Sequence, residues 1–252
     1  MATTNRRPWG LARVVAAAAW VFGAVPALAQ PPLLPGVSAH DPRVAVDVRQ
    51  APWSALARLQ IPGVSRCTAV LLAPRMALTA AHCLYGKRLG HFMPPGSVHV
   101  LNGYAAGSYA GHSIAVGYRI VAGYDPAQPD RTRGLDAAML ILASALNAPP
   151  LALAPEPQVR PAAVRLGGYS QDRDEIIMAD NNCRITGVGL DRGGHKLLRH
   201  DCDATRGTSG APLLLPDGAG GWRIAGLEVG AFLGEPGGVA VPAGTLRTLL
   251  AP

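Results

Sequence analysis

The chain has 252 residues, 49% of them apolar and 15% charged, with a formal net charge of +7. An apolar fraction of that size builds a core, which excludes wholesale disorder, and the length fits one large all-β or α/β domain or two small ones. The basic excess forms no stripe, which argues against nucleic-acid binding; setting aside residues 1–29, which hold three basic and no acidic residues, leaves 20 basic against 16 acidic, or +4.

Residues 1–29 begin with Arg6, Arg7 and Arg13, continue through an apolar stretch from Val14 to Val25, and end in Ala27-Leu28-Ala29. A basic start, a short apolar core and a small-residue cleavage site read as a secretory signal. The stretch is too short to cross ~30 Å of hydrocarbon at ~1.5 Å per residue. The expected product is secreted or periplasmic, with no membrane attachment after signal removal. Residues 30–43, QPPLLPGVSAHDPR, are rich in proline and without periodicity, as expected of an exposed leader or short pro-segment.

From residue 44 to 252 the texture is that of one compact β-rich unit. Val44, Val46 and Val48 alternate with Ala45, Asp47 and Arg49, a strand-like period. CTAVLLAPRMALTA places two apolar runs around Ala73-Pro74-Arg75, a hairpin signal. SVHVL, SIAVGYRIVAGY, AAMLIL, AAVRLGGY, APLLL, WRIAGLEVG and GVAVP follow, nearly all bounded by Gly, Pro, Asn or Asp. Helical periodicity is confined to a turn or two at AAHCLYG and a short C-terminal helix at PAGTLRTLLAP. Many short strands with 30 Gly and 23 Pro predict an all-β, closed or packed antiparallel architecture.

An exported chain meets an oxidising compartment, so the four cysteines are expected in two disulfides, for which three connectivities exist. The nearest-neighbour one, Cys67 with Cys83 and Cys183 with Cys202, closes loops worth ~3 kcal/mol each in the chain-entropy model. The spacings are too wide for the paired clips of structural zinc.

Three fragments carry chemistry. LTAAHCL puts His82 at a strand end beside Cys83, GLDAAMLIL puts Asp136 directly before an apolar run, and GTSGAPLL puts Ser209 after Gly207 and Thr208 and before Gly210. Each alone has an ordinary explanation as a packed histidine, a turn-capping aspartate or a turn serine. Together they supply what a hydroxyl nucleophile needs: an imidazole to take its proton, and a carboxylate to fix and stabilise that imidazole. Gly207 can adopt the backbone with which N–H groups converge on a developing oxyanion.

LTAAHC, LDAAMLIL and GTSGAPL resemble the three signature segments of the trypsin/chymotrypsin-like serine proteases, in the style of the bacterial secreted branch related to glutamyl endopeptidases. The resemblance spans roughly residues 44 to 250. It implies two six-stranded antiparallel β-barrels with the active site between them. It further implies His82 as general base, Asp136 as its orienting partner, Ser209 as nucleophile, and the N–H groups of Gly207 and Ser209 as oxyanion hole. Cys67–Cys83 would match the family disulfide that pins the histidine loop, and Cys183–Cys202 would tie the entry to the serine segment.

Thr208 stands where the animal digestive enzymes carry an aspartate that pairs with a freshly cut N-terminus. Activation by such insertion is therefore not expected, and the loop is expected to be held by other contacts. Asp203, six residues before Ser209, and Glu228, near the position where glutamyl-specific relatives place a histidine, together suggest a preference for Arg or Lys side chains. Position 211 is Ala, so the Gly-x-Ser-x-Gly elbow of α/β-hydrolases is absent. A silent, binding-only descendant has no chemical reason to keep all three groups. The chain is thus expected to act as a monomeric endopeptidase on polypeptide substrates, without cofactor or metal.

Overall fold

Twelve strands organise into two rings in the computed structural model, which describes residues 1–3, 34–155 and 161–251. From residue 4 on, the expected signal segment lies outside the described residues. Leu33–Pro252 form one unit.

The first ring contains β1 (Leu56–Ile61), β2 (Ser65–Ala73), β3 (Met76–Thr79), β4 (His99–Asn102), β5 (Gly111–Ile120) and β6 (Ala138–Leu142). It closes in the order β1-β2-β3-β6-β5-β4, all pairs antiparallel. The expected turn at Ala73-Pro74-Arg75 is the β2–β3 hairpin, with Ala73 opposite Met76.

The second ring contains β7 (Ala162–Gly168), β8 (Met178–Leu190), β9 (Lys196–His200), β10 (Pro212–Pro216), β11 (Trp222–Ala231) and β12 (Gly238–Pro242). The β8–β9 pairing closes it, so the circle β7-β8-β9-β12-β11-β10 repeats the order of the first. This is the expected pair of six-stranded barrels, built twice on one topology without a repeat legible in the sequence. The C-terminus is a single α-turn, Ala243–Leu246, continued as 3-10 helix Arg247–Leu250.

Burial explains the uninterrupted apolar runs. On β10, Leu213 joins the core inside the second barrel, with Ala225 and Ala240, whereas Leu214 joins the larger cluster that runs from Leu56 and Leu140 to Ile224 and Leu227. A strand buried on both faces has no polar alternation to show. The reverse holds at the chain's start. Of the alternating stretch from Val44 to Arg49, only Val44–Ala45 is strand, paired with Met178–Ala179 of β8. Asp47 then accepts the Arg49 N–H at 3.0 Å and the chain turns, a local side-chain bond that competes with the ladder.

Residues 34–43 differ from the exposed leader expected of them. Val37 is buried, Gly36 bridges Pro236, and the Gly36 carbonyl accepts from the N–H groups of Ala204 and Gly237, each at 3.1 Å. Arg43 is buried as well, held by Asp41 at 2.7 Å and Asp172 at 2.8 Å. Periodicity cannot report such a segment, because its contacts run through backbone and ion pairs and not through an apolar face. Both disulfides, Cys67–Cys83 and Cys183–Cys202, are formed.

Candidate active site

His82 sits in a single 3-10 turn, Ala81–Leu84, directly after β3. Ala80 and Ala81 are fully buried. Cys83 ties the turn to Cys67 on β2. Asp136 follows a 3-10 turn, Arg133–Leu135, and precedes β6, whose Ala138 pairs with Thr79 of β3. That strand pairing sets the two fragments side by side. The Asp136 carboxylate takes the His82 backbone N–H on Oδ1 at 2.8 Å and the ring Nδ1 on Oδ2 at 2.6 Å. With Nδ1 carrying the proton, Nε2 is left as a base. Burial, and next the adjacent Asp136 carboxylate, push the Tyr124 phenol well above its usual range.

Ser209 comes from the other barrel, in the segment that enters β10. Gly207 and Gly210 on either side have φ of 92° and 86°. A Cβ at Gly207 would lie 2.4 Å from the Tyr169 carbonyl oxygen, and one at Gly210 would lie 2.1 Å from that of Thr68. Both positions therefore need glycine for conformation and for space. Thr68 of β2 stitches the barrels together at this point. Its N–H donates to the Ser209 carbonyl at 2.9 Å, and its hydroxyl donates to the Gly207 carbonyl at 3.1 Å while accepting from the Tyr169 N–H at 3.0 Å. Gly210 N donates to the Glu228 carbonyl at 2.7 Å, and Gln171 N to the Arg206 carbonyl at 2.6 Å. The N–H groups of Gly207 and Ser209 have no partner among the described residues.

His82 and Ser209 line one cleft of about 1120 Å³, with Gly207, Tyr169 and the Cys67–Cys83 region. No hydrogen bond joins the Ser209 hydroxyl to the imidazole among the described residues. Apo geometry of this kind commonly tightens only with substrate.

The model of the trypsin-like peptidase domain family matches residues 67–220, a span that contains His82, Asp136 and Ser209. The chain belongs to this family. No curated protein matches the sequence. Among solved structures, a Glu endopeptidase in complex with MPD superposes with a TM-score of 0.64 at 19% identity, covering 81% of this chain and 93% of that one. The Rv3671c protease in its inactive form gives 0.56 at 23%, with 78% and 87% covered. The Vibrio cholerae VesB protease gives 0.60 at 18%, with 82% and 65% covered. At these identities the likeness is one of fold.

In this peptidase the two carboxylates expected to receive a basic substrate side chain are committed elsewhere. Asp203 is buried, and its Oδ2 accepts both the N–H and the hydroxyl of Ser38, at 2.7 and 2.6 Å. Glu228 is buried against His200, with Oε2 2.5 Å from Nε2, while Oε1 accepts the Gly230 N–H at 3.1 Å. Neither lines the cleft that holds Ser209. The preference for Arg or Lys drawn from them has no support in this arrangement, because residue type and offset along the chain do not reveal which partner a carboxylate finds on folding.

Thr208, the uncharged residue before the nucleophile candidate, is buried and bonds the Ser170 hydroxyl at 3.0 Å. Thr208 itself is thus held by a neutral contact. Two further residues escaped the reading of the sequence. Thr68 lies inside an ordinary apolar run and carries no motif. Asp191, at the β8–β9 turn, accepts the Gly134 N–H at 2.9 Å and so holds the turn that precedes Asp136. Its only signal in sequence is an Asp before two glycines, Gly193 and Gly194, which marks any tight turn.

Proposed function

We propose that the protein is a secreted serine endopeptidase that cleaves peptide bonds through an acyl-enzyme on Ser209. His82 takes the serine proton and later returns it to the leaving amine, and Asp136 holds the ring in the required tautomer and stabilises the imidazolium. The unpartnered N–H groups of Gly207 and Ser209 receive the oxyanion, an arrangement in which one donor is typically worth ~3–4 kcal/mol in the transition state. The observation that carries this reading is the doubly bonded His82–Asp136 pair opening onto the same cleft as Ser209. Export fits the expected signal and the two disulfides, and residues 44–252 are taken as the catalytic domain.

The test is hydrolysis of an unfolded polypeptide by the oxidised protein and by Ser209→Ala. The variant should lose about a million-fold in kcat, as expected for removing a nucleophile, while melting at the same temperature. Equal turnover by both proteins would refute the assignment.

A further inference from the structure

Glycine has no backbone preference strong enough to hold the segment around Ser209 in one conformation. Gly207 stands at φ of 92°, and glycine populates either sign of φ about as readily, so what fixes it comes from outside. In a trans peptide the carbonyl and the N–H point in opposite directions; a bond to one therefore aims the other. The Arg206 carbonyl accepts the Gln171 N–H at 2.6 Å, which turns the Gly207 N–H away from Gln171. The Thr208 carbonyl accepts the Ala211 N–H at 2.8 Å, which turns the Ser209 N–H away from Ala211. The two peptide units on either side of the Thr208–Ser209 peptide are both held by Thr68, from the other barrel. Its hydroxyl bonds the Gly207 carbonyl at 3.1 Å and its N–H bonds the Ser209 carbonyl at 2.9 Å.

The hydroxyl occupies a niche shaped for it. Thr68 is fully buried, and its own carbonyl is fixed by the Thr79 hydroxyl at 2.9 Å. A Cβ at Gly168, the last residue of β7, would lie 2.7 Å from the Thr68 Oγ1. The Tyr169 N–H takes the acceptor side of that oxygen at 3.0 Å, so the hydroxyl proton is directed to Gly207. A methyl group in its place would leave the Tyr169 N–H and the Gly207 carbonyl buried without a partner, and the glycine peptide is the part of the site that moves with least strain. The preceding residue, Cys67, ties the same strand to the histidine turn. Adjacent residues of β2 thus hold both halves of the site.

We propose that Thr68 is a positioning residue for the reaction: its side-chain hydroxyl, reaching across the barrel seam, aligns the Gly207 and Ser209 N–H groups without touching substrate. The inference rests on the reading of Ser209 as a peptidase nucleophile with those two groups as its oxyanion donors. Such donors act on the charge that develops in the transition state and little on the bound substrate. The effect of the hydroxyl therefore belongs in kcat and not in KM.

The test compares the full oxidised wild type with Thr68→Ser, Thr68→Val and Thr68→Ala on a dye-quenched unfolded polypeptide, each well below its melting temperature and per folded molecule. Activity should group by hydroxyl and not by side-chain volume. Thr68→Ser should keep kcat within about threefold of wild type, whereas Thr68→Val and Thr68→Ala should lose about ten- to a hundredfold in kcat with KM within about twofold. Should Thr68→Val fail to fold, Ser against Ala still isolates the hydroxyl. The pH midpoint of kcat should stay at the wild-type value, because the His82–Asp136 pair is untouched; a shifted midpoint would assign the damage to the histidine turn and overturn the inference. Equal kcat in all four proteins, or a loss confined to KM, would leave Thr68 a residue of the seam alone and overturn it as well. Wild-type turnover that survives Ser209→Ala would overturn the peptidase reading beneath, and this inference with it.

Discussion

Asp136 commits both carboxylate oxygens to His82, one to the ring and one to the backbone. An amide in its place could keep the backbone bond but would present its NH₂ group to Nδ1 and favour the wrong tautomer. Asp136→Asn should therefore lower kcat about ten-thousand-fold with an unchanged fold, measured as steady-state turnover beside the circular dichroism spectrum; a loss below about tenfold would contradict the role. Gly207→Ala should cost activity through two routes, since φ of 92° is strained for alanine and the new methyl would meet the Tyr169 carbonyl. A loss of about a hundredfold or more in kcat is expected, with KM nearly unchanged; wild-type turnover would show that the loop tolerates the shift. These residues were legible in the sequence because nucleophilic chemistry demands particular side chains and glycine demands particular backbone. Thr68 was not legible, because a hydrogen-bond hub at a barrel seam uses a residue type common in any strand.

The turns around the site depend on elements far away in the chain. Asp191 accepts from Gly134, Gly193 and His195 at 2.9, 2.8 and 2.9 Å. Burial alone would raise its pKa, and these N–H bonds more than offset that, so the carboxyl lies below its ordinary value of 3.8. The unfolded chain binds this proton more tightly than the folded one, so the contribution to stability is complete above the ordinary carboxylate range and is lost as pH falls through the lowered folded value. Asp191→Ala should cost about 2–3 kcal/mol at neutral pH, read by chemical denaturation. The gap between wild type and Asp191→Asn should narrow as pH falls below the ordinary carboxylate range, where the neighbouring His195 is already charged and only the Asp191 carboxyl is titrating; a gap that widened there would contradict the assignment. The segment 34–43 makes a comparable case. Ser38→Ala removes one of two hydrogen bonds to the buried Asp203 carboxylate and should destabilise by about 1–3 kcal/mol. A chain begun at Val44 should melt lower than one begun before Gly36, and equal melting points would show that these contacts are idle. Composition pointed to an exposed leader here because proline-rich stretches lack periodicity whether or not they are pinned.

Over the whole molecule, the two barrels share one strand order, yet the sequence displays the strands and not their closure. Strand content was legible from short apolar runs and turn residues, such as the hairpin at Ala73-Pro74-Arg75. Pairing across long intervals was not, because β3 meets β6 and β9 meets β12 through contacts that leave no local signature. The same division holds for the site: motif residues could be read, whereas the fate of Asp203 and Glu228 depended on where Ser38 and His200 come to rest. In the proposed mechanism His82, Asp136 and Ser209 work as one relay across the barrel seam. Its most direct measurement is reaction of the oxidised wild-type protein with a fluorophosphonate, followed by mass-spectrometric mapping of the adduct. A single adduct on Ser209 is expected, formed far more slowly in His82→Ala and Asp136→Asn. A folded protein that takes no adduct, or takes it on another residue, would contradict it.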